Sequence, residues 1–157
     1  MSEKVSVNEF LEKTKHKNLK PSGQQQGLPQ PPLELPCDSR LSRIALPTPG
    51  KIIVQDISLR AAVEKRITRR AYIQRPLSLE DFSYLLWMTQ GVKQIKEGKL
   101  TSRNVPSAGA RHAFETYLAV NSIESLQPGL YRYLALTHEL VALHNEPDFI
   151  TRMKVAC

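Results

Sequence analysis

The chain reads as an α+β protein. Three features predict this class: apolar residues at helical spacing between positions 59 and 90, three short segments rich in β-branched and aromatic residues between 116 and 143, and a return to helical spacing after Pro147. With 157 residues, 41% of them hydrophobic and 24% charged, the chain has the composition of a globular protein and the length for one core.

The elements follow in order. Residues 1–50 hold most of the 11 prolines, together with Gln24-Gln25-Gln26, and form an expected extended, Pro/Gln-rich N-terminal region. Within it Val7, Phe10 and Leu11, at i, i+3 and i+4, predict a short helix over 7–15. Leu46-Pro47-Thr48-Pro49-Gly50 is an entry loop, and the compact part is expected over 51–157. Ser58 suits the cap of a helix over 59–65, with Leu59, Ala62 and Val63 on one face. Ser78-Leu79-Glu80-Asp81 is close to a capping box. Leu79, Phe82, Leu85 and Leu86 follow at helical spacing as far as Gly91, a natural stop. The apolar face of this helix, with Trp87 and Met88, reads as core or subunit interface rather than as a cofactor box. Residues 92–105, polar and lysine-rich, read as a loop. Residues 116–120, 130–136 and 139–143 are strand candidates, the last two joined by a turn at Thr137-His138. A final helix is expected after Pro147, with Asp148 near its cap.

Composition narrows the function classes. No run of about eighteen apolar residues exists, so no transmembrane helix is expected. The N-terminus lacks an apolar signal core, and Cys37 and Cys157 sit at no metal or disulfide spacing, which together point to a reducing, cytoplasmic setting. The formal charge of +7 suits an anionic partner, or a solvated basic surface. Nucleic acid is not the expected partner, because aromatics make up only 6% of the chain and are not interleaved with the basic run. His112 and His138 have no carboxylate at ligand spacing, so no metal site is expected. No P-loop or dinucleotide fingerprint is present, and no residue is assigned as catalytic.

Two segments can carry chemistry. In Arg66-Ile67-Thr68-Arg69-Arg70-Ala71-Tyr72, an extended backbone would set residues 66, 68 and 70 on one side, with two guanidinium forks and a hydroxyl suited to a phosphate dianion. The same charges would also suit a solvated helix end. In Pro106-Ser107-Ala108-Gly109-Ala110-Arg111-His112, small residues let a ring or a phosphate approach the backbone, and Ser107 and Arg111 supply donors. A helix starting here would add free amides; a plain turn would not.

These segments resemble the flavin-contacting elements of the nitroreductase family. Arg66–Tyr72 is similar to its Arg-Arg-Ser-x-Arg-x-Tyr element. Pro76–Trp87 with Thr89-Gln90-Gly91 is similar to the helix that follows, and Asn104–Tyr117 to the next element. Pro128-Gly129-Leu130-Tyr131-Arg132-Tyr133 and the Lys13-Thr14-Lys15 region resemble the SagB/ThcOx-type dehydrogenase branch. The resemblance covers roughly residues 46–157. It implies an α+β nitroreductase-like fold and an FMN-dependent oxidoreductase that works as a homodimer, passing hydride between flavin and a small organic or peptide heterocycle. By motif match, Arg66, Ile67 (through its backbone), Thr68 and Arg70 would face the FMN phosphate and ribityl chain. Pro106, Ser107, Ala108 and Gly109, with Arg111 beside them, would approach the flavin from the partner subunit. Ile67 stands where the family usually has arginine or another polar residue, and Thr68 where it has serine. The resemblance also implies a C-terminally truncated domain, since the family continues beyond the position of Cys157. The alternative is an inactive truncated domain that serves as a dimerisation or partner-binding scaffold.

Overall fold

Serine caps begin the first three helices. In the computed structural model, which describes residues 6–145 and 148–156, Ser6, Ser58 and Ser78 each accept a hydrogen bond from the amide three residues on, at 3.2, 3.2 and 3.0 Å. They start α1 (Val7–Thr14), α2 (Leu59–Lys65) and α3 (Leu79–Gln90). Gly91 ends α3. Its amide donates to the Trp87 carbonyl at 2.7 Å, and a Cβ at this position would meet that same oxygen at 2.4 Å. A fourth helix, α4 (Phe149–Ala156), follows Asp148. Pro147 and Cys157, named in the sequence reading, lie outside the described residues.

The chain divides into two units, Met1–Pro31 and Pro32–Cys157. The first carries α1 and a short 3-10 turn at His16–Asn18, and neither buries a residue. In the second, β1 (Arg43–Ala45), β4 (Thr116–Val120), β5 (Gly129–Leu134) and β6 (Glu139–His144) form an antiparallel sheet of order β1-β6-β5-β4. The expected strands at 116–120, 130–136 and 139–143 are these last three. The strand β1, unforeseen in the sequence, covers the free side of β6. Residues 92–105 are not the expected loop. They form an antiparallel hairpin of β2 (Val92–Lys96) and β3 (Leu100–Arg103), turned at Glu97 and Gly98 with φ of 51° and 66°. Lysines on its exposed faces hide the strand pattern.

One face of the sheet meets α3. Leu46, Leu86, Val120, Tyr131, Tyr133, Ala135 and Leu140 form the buried cluster, with Leu79 and Phe82 of α3 packed against it. Leu85 and Met88, on the opposite side of α3, stay exposed.

A polar chain runs through this core. Ser83, fully buried, donates its hydroxyl proton to the Pro47 carbonyl at 2.6 Å. Its oxygen is then free to accept from His138 Nε2 at 2.7 Å, and Nε2 also lies 3.2 Å from the Pro47 carbonyl. That places the imidazole proton on Nε2, so Nδ1 accepts from the Tyr133 hydroxyl at 2.7 Å. The chain fixes a neutral tautomer. Burial pushes the His138 imidazole below its usual range against the pull of the Pro47 carbonyl. Burial also pushes the Tyr133 phenol up to about 12, with Arg103 opposing and Glu34 adding to the rise.

A second tie holds the segment before β1. Arg132, buried on β5, donates to the carbonyls of Pro36 and Leu35 at 3.2 and 2.5 Å and pairs with Glu115 at 3.1 Å. Glu115 in turn accepts from the Leu35 amide at 2.7 Å, and Glu34 accepts from the Leu136 amide at 3.2 Å. Part of the Pro-rich stretch, from Pro32 on, is thus held in the second unit.

The His138 chain predicts a two-sided pH dependence. The folded imidazole binds its proton less readily than the unfolded one, so stability falls as pH drops through about 6.5 toward the lowered value. The Tyr133 contribution is fully present below about 10 and is lost as pH rises from there toward about 12. Thermal melts across pH should show both limbs in the native chain, and Tyr133→Phe should flatten the alkaline one. An alkaline limb unchanged by Tyr133→Phe would contradict this assignment.

Candidate functional site

The helix end, the hairpin and the loop after it build one cleft. Gln90 is the last residue of α3, and Gly91 then turns the chain into β2. Asn104, just past β3, donates its side-chain amide to the Trp87 carbonyl at 2.6 Å, and its backbone amide donates to the Gly91 carbonyl at 3.0 Å. The segment after β3 is thereby held against the end of α3. A cleft of about 420 Å³ opens there, with Gln90 on one side and Pro106, Ser107, Ala108, Arg111, His112 and Phe114 among its other walls.

The loop that makes those walls is tightly wound. Ala108–Ala110 form one 3-10 turn rather than the start of an α-helix, and no bundle of free helix amides forms here. Gly109, Ala110 and His112 all take positive φ, at 69°, 53° and 46°. Glycine adopts this region freely; alanine and histidine do so at a cost. The Ser107 hydroxyl oxygen compensates by accepting the His112 amide at 3.0 Å, across the turn. Burial and the nearby Arg103 guanidinium push the His112 imidazole below its usual range, while donation to the Thr101 carbonyl pulls it up.

The second sequence-expected group lies elsewhere on the chain. Arg66 caps the C-terminus of α2, its amide donating to the Val63 carbonyl at 3.3 Å. Ile67, Thr68, Arg69 and Arg70 continue as an exposed strip outside any helix or strand. Among the described residues, the side chains of Arg66, Thr68 and Arg70 have no hydrogen-bond or ion-pair partner, so their donors face outward. Around them the apolar side chains of Leu59, Val63, Ile67, Tyr72 and Ile73 are also exposed. No hydrogen bond or ion pair among the described residues joins this strip to the cleft.

The structure therefore gathers Pro106, Ser107, Ala108 and Arg111 at one cleft and sets Gly109 in its turn. It leaves Arg66, Ile67, Thr68 and Arg70 as a separate strip. Sequence reasoning missed Gln90, His112 and Phe114 as lining residues. Phe114, 90% exposed, gave a signal only in its position beside the small-residue run, since its exposure follows from the fold. Among the described residues, no group of three or more His, Cys, Asp or Glu side chains is placed to hold a metal ion. No described helix is long and apolar enough to cross a membrane.

Comparison with known proteins adds one relative. The chain is 31% identical over 93 residues to a protein of Methanocaldococcus jannaschii named "putative nitroreductase". The match covers 59% of this chain and 45% of the relative, so the chain spans less than half of that protein's length. No family model matches the chain.

Removing the Ser107 hydroxyl tests how the cleft wall is held. Ser107→Ala should cost the turn roughly 0.5–1.5 kcal/mol and speed exchange of the His112 amide by up to about tenfold in native-state hydrogen exchange. An unchanged exchange rate would mean that the turn does not depend on this bond.

Proposed function

We propose that the protein is an FMN-dependent oxidoreductase of the nitroreductase family that acts as a cytoplasmic homodimer. Its chemistry is of the SagB/ThcOx dehydrogenase kind, with hydride passed between flavin and a small organic or peptide heterocycle. The observation that carries this reading is the 31% identity to a protein named as a nitroreductase.

The residues present fit FMN in two halves. The strip of Arg66, Thr68 and Arg70 offers two cationic forks and a hydroxyl, all facing solvent, which is the donor set a phosphate needs. The cleft offers small residues at Pro106, Ser107 and Ala108, an uncovered aromatic ring at Phe114 and the Gln90 amide, which suit a planar polar ring. A homodimer would bring the strip of one chain to the cleft of the other, and the exposed apolar side chains of Leu59, Val63, Ile67 and Ile73 give that association a hydrophobic contribution. Bound flavin supplies the two-electron chemistry. The chain's own residues hold the phosphate, orient the ring and exclude water from one of its faces.

A titration followed by flavin fluorescence checks this. FMN should bind saturably. Thr68→Ala and Arg70→Ala should each weaken FMN by about tenfold or more, while riboflavin, which lacks the phosphate, should bind the variants and the native chain alike. Absence of saturable FMN binding would overturn the proposal and favour a partner-binding scaffold.

A further inference from the structure

The strained turn has a consequence for the chemistry of the cleft. Positive φ at Ala110 and His112 costs roughly 1–3 kcal/mol at each position, so the surrounding contacts must hold the backbone in place. What that backbone achieves is the placing of the His112 ring in the cleft wall. One ring nitrogen donates to the carbonyl of Thr101, a buried residue of β3. In a neutral imidazole the other nitrogen then carries a lone pair and can only accept.

Burial first, and then the Arg103 charge, favour that neutral form. Arg103 stands close enough to act on it from β3, and Arg111 is its chain neighbour in the same wall. Among the described residues that line the cleft, none is a carboxylate. The lining residues therefore bring one acceptor nitrogen, on His112, into the same cleft as the Gln90 amide and the Ser107 hydroxyl. Phe114, 90% exposed, adds an uncovered ring face.

A planar ring with one N–H between two carbonyls is complementary to such a wall. We propose that the cleft recognises the imide edge of a planar heterocycle, with His112 accepting the hydrogen bond from its ring N–H. This rests on the flavin reading above, since isoalloxazine carries that edge, and it assigns the ring's orientation to His112. His112 is a positioning residue here.

The test needs ligands that differ only at the imide nitrogen. Lumiflavin, which has the ring but no ribityl phosphate, and its N3-methyl derivative are titrated against the full-length chain by fluorescence. The native protein should bind lumiflavin about tenfold more tightly than the methylated ring, as expected for one lost hydrogen bond in a partly buried site. His112→Ala should abolish that preference, and His112→Gln, which keeps an acceptor, should restore part of it. Acidification should weaken lumiflavin binding as the imidazole takes a proton and stops accepting, with burial and Arg103 opposing that protonation. Equal binding of the two rings by the native chain overturns the inference, as does a preference that survives His112→Ala. FMN binding without lumiflavin binding overturns it too, while leaving the flavin reading in place. If neither FMN nor lumiflavin binds, both fall.

Discussion

A half-buried imidazole hydrogen-bonds to three parts of the second unit that also meet in the apolar core. His138 reaches the turn before α2 through the Pro47 carbonyl, α3 through Ser83 and the sheet through Tyr133. Ser83 and Tyr133 are taken out of water, and a buried polar group without a partner costs about 1–3 kcal/mol. The chain of donors therefore works only in one arrangement: Tyr133 to Nδ1, Nε2 to Ser83, Ser83 to Pro47. That requirement fixes the seating of α3 on the sheet. The seating of α3 sets Gln90, Gly91 and the Trp87 carbonyl, and the last two accept the Asn104 bonds that hold the cleft loop. The cleft thus depends on a relay that is not part of it.

Charge follows a similar division. The buried cation, Arg132, is spent on structure, holding the 33–36 segment to β5 with Glu115. The exposed cations of the 66–70 strip are held by nothing among the described residues, and several apolar side chains beside them are uncovered as well. A surface that leaves forked donors and large apolar groups open together is poorly suited to water alone. A phosphate at the cations and a second chain over the apolar groups would satisfy both.

Local chemistry was legible in the sequence, and non-local pairing was not. The serine caps at Ser58 and Ser78, the helical spacing of Leu79, Phe82 and Leu86, and the Gly91 stop are all contained within a few residues, and each appears in the structure where it was read. The β2–β3 hairpin was hidden because Lys93, Lys96 and Lys99 give a strand the composition of a loop, and its signal was the Glu97-Gly98 turn. The short β1 exists because β6 has an open side, which no local pattern announces. His138 reads as an isolated histidine in a turn; its role depends on Ser83, 55 residues away. At the site, the small-residue run at 106–109 was legible as a place for close approach. Of the two readings open there, a helix start and a plain turn, the structure shows a turn, with Gly109, Ala110 and His112 in left-handed conformations.

The central claim is that the 66–70 strip and the 106–114 cleft are the two halves of one flavin site, completed across two chains. Sedimentation velocity of the FMN-loaded protein, detected in the flavin absorbance band, tests it most directly. Flavin should travel with a two-chain species, and Arg70→Ala should release it without dissociating the pair. Flavin that sediments with a single chain, or a pair that carries none, would contradict the account.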